Sequence, residues 1–364
     1  MSAGNESSGR APDPVRSPRW REKVGPPIDP ARLERILLVV LDNLGDLVFS
    51  SALLDPIARA APRARIDVWC KDYTEPIARL LPRVGRVIAA DPFWDRAPGR
   101  GKGSFATFVR SLAEVRRGRY ELALLASSQW RAALAVRAAG IPLRIGLARH
   151  RSAAWLTHAL PAADVDRPVL AELGRILGPL GIAPGALAYR LDATLLAQPR
   201  ARIAEKLDHT APVALHAFAS KLARCMHLDA WIDLAHALRA DGRTILWIGS
   251  PRELAELRAR LANAEDWMWS DRLGEDGLQG LAAMLSECAA FVGNDSGPLH
   301  VAGALGVPCV GVFAPGQPER TFPQGIGPWR LIARPSPEGL GASDVLPAVR
   351  ALLAERDADA RGSV

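Results

Sequence analysis

The first regular pattern in the chain is a short apolar run, residues 36–41, which follows a polar and irregular N-terminal segment. Its β-branched and leucine side chains show no polar alternation, which is typical of a strand buried on both faces. A turn over residues 42–45 comes next, and Val48, Ala52 and Ile57 then share one helical stripe. The pattern predicts a strand, a tight loop and a helix.

The same alternation of apolar runs and amphipathic stretches recurs along both halves of the chain. In the first half we predict strands at 66–70, 86–90, 120–126 and 144–147, and helices at 105–116, 130–139 and 169–180. In the second half we predict strands at 213–218, 244–248, 289–292 and 308–313, and helices at 229–239, 252–261, 278–288 and 299–305. Alternating β and α elements predict an α/β protein with two Rossmann-like, doubly wound parallel-sheet domains facing a cleft.

The pattern is lost at the N-terminus and again between residues 181 and 199, and these losses set the predicted domain boundaries. The N-terminal segment is rich in Pro, Ser, Gly and charge and is predicted to be flexible. The predicted divisions are a tail, an N-terminal domain, a linker, a C-terminal domain, and a last helix with its tail: 1–30, 31–190, 191–210, 211–335 and 336–364. The last helix, near 342–356, is free to pack on either domain.

The composition of the 364-residue chain, 49% hydrophobic and 23% charged, excludes a disordered or fibrous protein. No apolar stretch approaches the roughly 18 to 20 residues that span a bilayer, and no secretory signal is visible, so we expect a cytoplasmic protein. The four cysteines are scattered and no His lies at ligand spacing from them. We therefore expect neither disulfides nor a metal site.

Charge is unevenly distributed along the chain. Residues 96–163 hold twelve Lys and Arg but only two acids, Glu114 and Glu121. Such density favours an anionic partner, whether nucleic acid, acidic lipid headgroups or an acidic substrate, although a merely solvated basic face has nearly equal weight. Because no nucleic-acid-binding motif is present, an acidic small or lipid-linked acceptor fits better. Three arginines are candidate acceptor contacts: Arg131, Arg149 and Arg151.

The most informative motif follows the strand predicted at 289–292. Small residues and Pro298 come where a helix should begin, which leaves the backbone N–H groups of Ser296 and Gly297 free for a pyrophosphate. Asp295 and His300 flank this anion site. An ordinary helix cap beside a core-facing histidine explains the same residues about equally well.

A second motif lies in the loop after the first strand. Gly45 permits a sharp turn beside Asn43, and Asp46 then stands at the start of the helix. An Asp at this place is commonly a helix cap, and spacing alone favours that interpretation. The loop also lies at the carboxyl end of a central strand, where the Asp46 carboxylate could accept a proton from a hydroxyl group.

Weaker signals follow two strands of the second half. Ser220, Lys221 and Arg224 come after the strand at 213–218 and could hold phosphate oxygens, although surface cations are common. Glu253 follows the strand at 244–248 and could hydrogen-bond a ribose. An acid in the first turn of a helix is the commoner explanation for Glu253.

Two segments, 36–54 and 292–308, resemble the two signature blocks of glycosyltransferase family 9, which contains the ADP-heptose:lipopolysaccharide heptosyltransferases. The trailing segment 313–320 also matches, so the resemblance covers about residues 35–335. It implies a GT-B fold with an acceptor-binding N-terminal domain and a nucleotide-sugar-binding C-terminal domain. Arg224 stands where family members commonly carry a Lys.

The resemblance also implies a mechanism. Asp46 would be the general base of an inverting, metal-independent transfer, with Asn43 and Gly45 shaping its loop. Donor contacts would come from the second block and the segments before it: Ser220, Lys221, Arg224, Glu253, Asp295, Ser296, Gly297 and His300. The implied donor is ADP-heptose, with no other cofactor, and the implied acceptor is an acidic, lipopolysaccharide-type or lipid-linked saccharide.

Other functions remain open on the sequence. A family member could use another nucleotide sugar or a different acceptor, and a non-catalytic relative could retain the fold to bind a nucleotide sugar. We expect no nucleic-acid partner. The local positive charge also motivates a peripheral contact with an anionic membrane through residues 96–119, at the inner face of the inner membrane.

Overall fold

The computed structural model describes residues 22–96, 101–127, 129–162, 167–219, 225–274, 277–314, 316–321 and 324–362. Within these ranges the chain forms two parallel six-stranded sheets, each accompanied by helices. Each sheet is built from one half of the chain, as the alternating pattern predicts.

The first sheet is formed by six parallel strands: β1 (Arg35–Val40), β2 (Arg65–Cys70), β3 (Val84–Ala89), β4 (Leu122–Leu125), β5 (Leu143–Ala148) and β6 (His158–Pro161). The helices of this half are α1 (Leu44–Ser50), α2 (Leu54–Ala60), α3 (Glu75–Ala78), α4 (Phe105–Gly118), α5 (Trp130–Ala138) and α6 (Val169–Gly174). The strand order is β3-β2-β1-β4-β5-β6. This doubly wound order reverses direction between β1 and β4, so the crevice outside their carboxyl ends is where a ligand is expected.

The second sheet repeats this plan with β7 (Val213–His216), β8 (Ile245–Trp247), β9 (Met268–Trp269), β10 (Ala290–Asn294), β11 (Cys309–Phe313) and β12 (Trp329–Ala333). Its helices are α7 (Ala197–Lys206), α8 (Leu228–Ala240), α9 (Pro251–Arg260), α10 (Gly277–Ser286), α11 (Gly297–Ala304), α12 (Pro318–Thr321) and α13 (Ala342–Gly362). The order is β12-β11-β10-β7-β8-β9, which places the corresponding crevice between β7 and β10.

The central strands form where the sequence carries unbroken apolar runs. Every residue of β1 from Ile36 onward is buried, because helices cover both faces of the sheet. One apolar cluster is shared by the two halves: it joins Leu38 of β1 to Phe291 of β10 and Leu299 of α11. The two domains therefore pack through a common core.

The helix predicted after β1 is divided in the structure. A short 3₁₀ turn over Ser51–Leu53 separates α1 from α2. The hydroxyl groups of Ser50 and Ser51 donate to the carbonyl oxygens of Leu47 and Val48, at 2.7 and 2.6 Å. Pro56 then supplies no N–H group near the start of α2. Competing side-chain bonds and the missing donor together explain the break.

Three strands escape the sequence pattern because they lie near or at sheet edges. β9 has only two residues and β12 alternates between exposed and half-buried positions. β6 lies at the edge of the first sheet, where Lys23 pairs with Ala159 in an isolated antiparallel bridge. The last part of the segment predicted as a tail therefore lies against β6.

The connection between the domains is hydrogen-bonded to both of them. The Arg190 and Asp192 N–H groups donate to Ser51 Oγ and the Leu80 carbonyl oxygen of the first half, at 2.9 and 2.7 Å. The intervening Leu191 N–H donates to the Ala304 carbonyl oxygen of α11, at 2.9 Å. The chain here is fixed against both domains just before α7, which occupies much of the predicted linker.

The last helix packs on the C-terminal domain. Val345, Val349 and Leu352 of α13 join the apolar cluster of the second sheet. Arg350 forms a bidentate ion pair with Asp241, which immediately follows α8. Within the described ranges, no helix is both long and apolar enough to cross a bilayer.

Candidate active site

The loops that follow β1 and β10 meet across the cleft between the domains. A Cβ atom added to Gly45 would lie 3.3 Å from His300 Cδ2, and one added to Gly297 would lie 2.9 Å from Leu44 Cδ2. A side chain at position 297 would therefore force the Leu44 side chain to shift. The contact of α1 with α11 thus brings the two sequence motifs together at the carboxyl ends of both sheets.

Asp46 both caps its helix and faces the cleft. Its Oδ2 atom accepts a hydrogen bond from the Asn43 N–H at 3.1 Å, as expected of a residue in the first turn. Asp46 retains exposed surface, and its carboxyl group lies near enough to His300 of the facing domain to interact with it electrostatically. Loss of solvent, with a further contribution from the negative charge of Asp42, raises the pKa of the Asp46 carboxyl to about 6. The two interpretations of this residue are therefore compatible.

A buried lysine supports the loop that carries Asp46. Lys71, at the end of β2, is almost wholly buried, and its Nζ atom forms an ion pair with Asp95 at 2.7 Å. The Tyr73 hydroxyl oxygen accepts from the Leu44 N–H at 2.9 Å and lies 3.4 Å from Asn43 Oδ1. These contacts hold the turn from outside the motif, and sequence reasoning did not identify Lys71 or Tyr73.

A second carboxyl group lies beside the first. Asp42 Oδ1 accepts from Gln129 Nε2 at 2.6 Å, and Gln129 Oε1 accepts from Trp94 Nε1 at 3.2 Å. Burial raises the pKa of Asp42. Its other oxygen has no hydrogen-bond partner in the described part of the chain. Asp42 is the first residue of the turn predicted over 42–45, but its local sequence gave no reason to single it out.

On the facing domain, α11 begins at the carboxyl end of β10 as the motif predicts. Ser296 is the N-cap residue, and Pro298 occupies the first turn. Ser296 Oγ lies 3.1 Å from His216 Nδ1, at the end of β7. Burial lowers the pKa of His216 to about 4, so the ring is neutral at pH 7. The N–H end of α11 is suited to an anion because its first amides lack helical acceptors.

His300 lies between the domains rather than in the open cleft. Its ring packs against Phe49 of α1 at 4.5 Å between centroids, and only 4% of the residue is exposed. His300 Nε2 lies 3.5 Å from Asp295 Oδ1, and Asp295 Oδ2 accepts from the Thr321 hydroxyl at 3.3 Å. Among the described residues, nothing hydrogen-bonds His300 Nδ1. His300 therefore couples the Asp295 carboxylate to the Asp46 helix.

Of the remaining predicted donor residues, the structure describes only Glu253. Glu253 forms the capping box of α9: its Oε2 accepts from the Ser250 N–H at 2.7 Å, and its own N–H donates to Ser250 Oγ at 3.4 Å. The cap interpretation accounts for this geometry. Ser220, Lys221 and Arg224 lie outside the described residues.

The three candidate acceptor arginines are exposed and follow strands at the carboxyl edge of the first sheet. Arg131 opens α5 after β4 and stacks its guanidinium 4.8 Å from the Trp130 ring centroid. Arg149 and Arg151 come directly after β5. Arg144, which contributed to the local charge, is instead buried and donates to the Ile141 and Trp155 carbonyl oxygens. It has a structural role.

Comparisons with known proteins identify the family of the chain. The family model described as "Glycosyltransferase family 9 (heptosyltransferase)" matches residues 109–329. The chain is 27% identical to lipooligosaccharide heptosyltransferase 2 of Haemophilus ducreyi over 309 residues, covering 79% of this chain and 86% of that one. It is 26% identical to lipopolysaccharide heptosyltransferase 2 of Escherichia coli over 312 residues, covering 79% and 85%.

Solved structures share the fold. A glycosyltransferase family 9 protein from Veillonella parvula superposes with a TM-score of 0.74 at 17% identity, covering 90% of this chain and 99% of that chain. The ADP-heptose lipopolysaccharide heptosyltransferase II of E. coli gives 0.73 at 21% identity, covering 89% and 99%. The prediction of a two-domain α/β GT-B fold is confirmed. The chain belongs to glycosyltransferase family 9 and is a glycosyltransferase.

Proposed function

We propose that this enzyme transfers a heptose from ADP-heptose to an acidic, lipopolysaccharide-type saccharide, with inversion and without a metal. The observation that carries the proposal is the close approach of Gly45 to His300, which brings the Asp46 motif against the first turns of α11. Relatives named as heptosyltransferases support the sugar, and a solved neighbour named for ADP-heptose supports the nucleotide.

Asp46 is proposed as the general base. With a pKa of about 6 its carboxylate is mostly ionised at pH 7, yet it is basic enough to take a proton from an acceptor hydroxyl in the transition state. The deprotonated oxygen attacks the anomeric carbon from the face opposite the diphosphate. The carbon–oxygen bond to the diphosphate breaks as the new glycosidic bond forms, ADP leaves with the electron pair, and the configuration inverts.

The donor diphosphate is proposed to lie at the start of α11. Ser296 and Gly297 offer backbone N–H groups there, and the neutral His216 ring orients the Ser296 hydroxyl. Lys221 and Arg224, assigned from the sequence motif, would neutralise the charge that grows on the leaving group. A helix terminus and two cations supply the electrostatic stabilisation that a metal ion supplies elsewhere, which is why we propose a metal-independent reaction.

The acceptor is proposed to enter over the first sheet. The exposed Arg131, Arg149 and Arg151 follow strands at the same sheet edge as Asp46 and suit an anionic saccharide. A lipid-linked acceptor would place the enzyme at the inner face of the inner membrane. Arg131, stacked on Trp130, presents a planar guanidinium for bidentate contact with a carboxylate.

Calorimetric titration of ADP and ADP-heptose, beside the UDP and GDP sugars, with chelator present, tests the donor. Selective, chelator-resistant binding of the ADP compounds supports the proposal. A preference for uridine or guanosine sugars would exclude ADP-heptose as the donor without affecting the fold. No binding of any of these compounds would contradict a nucleotide-sugar site altogether. Anomeric NMR of the product from a transfer assay tests inversion.

Asp46→Asn tests the base, and Asp344→Asn is its matched control. Asp344 caps α13 in the same way, since its Oδ2 accepts from the Gly341 N–H at 3.0 Å, but it lies away from the cleft. We expect Asp46→Asn to lose about 10²- to 10⁴-fold in kcat while donor affinity is kept. Asp344→Asn should retain turnover. Full activity of Asp46→Asn would refute the role of Asp46.

A further inference from the structure

An exposed apolar surface on the N-terminal domain is not used by the proposed reaction. Phe105 opens α4 with 64% of its surface exposed, Val109 one turn later has 43% exposed, and Phe93 beside them has 38% exposed. Large apolar side chains grouped at the surface indicate a contact with something apolar. We call these three residues, with Arg110, Arg116 and Arg117, the α4 surface.

The apolar part of the α4 surface is held in place from beneath. The Phe93 ring lies edge-on to Phe105 at 5.0 Å and to Trp94 at 4.9 Å, and Trp94 packs on the buried Phe108 at 4.7 Å. Such edge-to-face contacts fix ring orientation. The exposed rings are therefore presented to solvent by a rigid support.

The exposed charge on α4 itself is basic, and the nearby Asp95 carboxylate is paired with Lys71. Arg110, Arg116 and Arg117 are all exposed on α4. The one acid in the helix, Glu114, is half-buried and paired with Arg86 at 2.7 Å. A helix that presents aromatic, aliphatic and basic side chains outward matches the chemistry of an anionic bilayer interface, where rings enter the headgroup region and arginines meet phosphates.

The α4 surface also lies close to the candidate active site. α4 follows β3 and therefore begins at the carboxyl edge of the first sheet, the edge that carries Asp46. Trp94, in contact with Phe93, donates to Gln129, which in turn donates to Asp42. Two hydrogen bonds thus separate the apolar surface from the loop of the base.

We propose that the α4 surface docks onto a membrane containing anionic phospholipids, with Phe93, Phe105 and Val109 entering the interface and the arginines contacting headgroup phosphates. Docking at this edge holds the acceptor side of the cleft against the bilayer. This orientation rests on the proposed function, because it assumes a lipid-linked acceptor. The docking itself needs neither donor nor acceptor.

The test is co-sedimentation of the full-length protein with vesicles of phosphatidylethanolamine and phosphatidylglycerol, compared with vesicles of phosphatidylcholine alone. The wild type should bind the anionic vesicles and dissociate as salt is raised. Phe105→Ser combined with Val109→Ser should weaken binding at least about tenfold, and Arg110→Gln with Arg117→Gln should weaken it and flatten the salt dependence. Leu195→Ser, at a leucine with 53% of its surface exposed, is the matched control and should bind like wild type.

Failure of the wild type to bind anionic vesicles at low salt would overturn the docking. The docking would also be overturned if Leu195→Ser weakened vesicle binding as much as the Phe105 and Val109 double variant does. It would be overturned as well if that double variant bound the vesicles as tightly as the wild type. If sedimentation without lipid shows an oligomer that the double variant dissociates, the surface joins two copies of the chain and the proposal is wrong. Calorimetric donor binding by the same variants should be unchanged. The experiments therefore distinguish a failure of membrane docking from a failure of the proposed heptose transfer.

Discussion

Asp46 should impose an acidic limb on the pH profile of kcat/KM, and Asp46→Asn should remove it. With a pKa of about 6, the carboxylate is about nine-tenths ionised at pH 7, about one-tenth at pH 5 and about one-hundredth at pH 4. An aspartate at its ordinary pKa of 3.8 would remain largely ionised at pH 5. Transfer should therefore fall about tenfold between pH 7 and pH 5.

The assay is direct chromatographic measurement of ADP release at subsaturating donor, so that no coupling enzyme adds its own pH dependence. A wild-type profile that is flat from pH 7 to pH 5 would refute the reasoning, because it would mean that Asp46 is not the titrating base. An unchanged limb in Asp46→Asn would refute it as well. The most direct rival is Asp42, whose pKa is also raised by burial.

Thermal unfolding shows whether the loss of activity reflects the base or the fold. The pKa of Asp46 is higher in the folded protein than in the unfolded chain. Its favourable contribution to the free energy of unfolding is therefore fully present below about pH 4 and is lost as the pH rises through about 6. Asp46→Asn should therefore raise Tm relative to wild type at pH 7.5, and by less at pH 5. The contribution of Asp344 to stability changes with pH in the opposite direction, because hydrogen bonds from Gly341 and Arg334 lower its pKa. Asp344→Asn should lower Tm at neutral pH.

Three further perturbations test other parts of the structure. Asp42→Asn removes a negative charge that raises the pKa of the base, so the acidic limb of kcat/KM should move to lower pH; a shift to higher pH would contradict the assignment. Gly297→Ala should cost about 10- to 100-fold in kcat/KM by pushing Leu44 and its loop aside, and Leu44→Ala in the same chain should restore part of the loss; no rescue would mean that the close approach is not the cause. Leu38→Ala in the shared core should lower the free energy of unfolding by about 2 to 5 kcal/mol in denaturant titrations, whereas Leu195→Ala at the surface should change it by less than about 0.5 kcal/mol; equal effects would contradict the described core.

Elements that are buried on both faces could be predicted from the sequence with small errors at their ends. β1, predicted at 36–41, is Arg35–Val40, and α11, predicted at 299–305, is Gly297–Ala304. Such elements carry their own signal because burial demands a continuous apolar run or an apolar stripe. β9 and β12 lack that signal, since an edge strand can be short or can alternate between exposed and half-buried positions and still pair with its neighbour.

Candidate site residues followed the same division. Asp46, Ser296 and Gly297 lie at the starts of helices that directly follow strands, and these helix starts have local sequence signals, so their positions could be predicted. Lys71 and Gln129 were missed because each reaches the Asp46 loop from another strand, through contacts with Asn43 and Asp42 that span 28 and 87 residues of sequence. No periodicity within a single segment marks such a contact.

The sequence by itself determined two doubly wound sheets and the helix start at Ser296, because backbone conformation and burial of one element depend mainly on its own residues. The prediction of a sharp turn at Gly45 was wrong, since Gly45 is the second residue of α1 and does not have a positive φ. Only the tertiary structure decided that the start of α1 meets α11, that His300 lies against Phe49 between the domains, and that the pKa of Asp46 rises to about 6. The physical reason is that desolvation and Coulomb energies depend on distances in space. Residues more than two hundred positions apart in sequence set those distances only after both domains have packed.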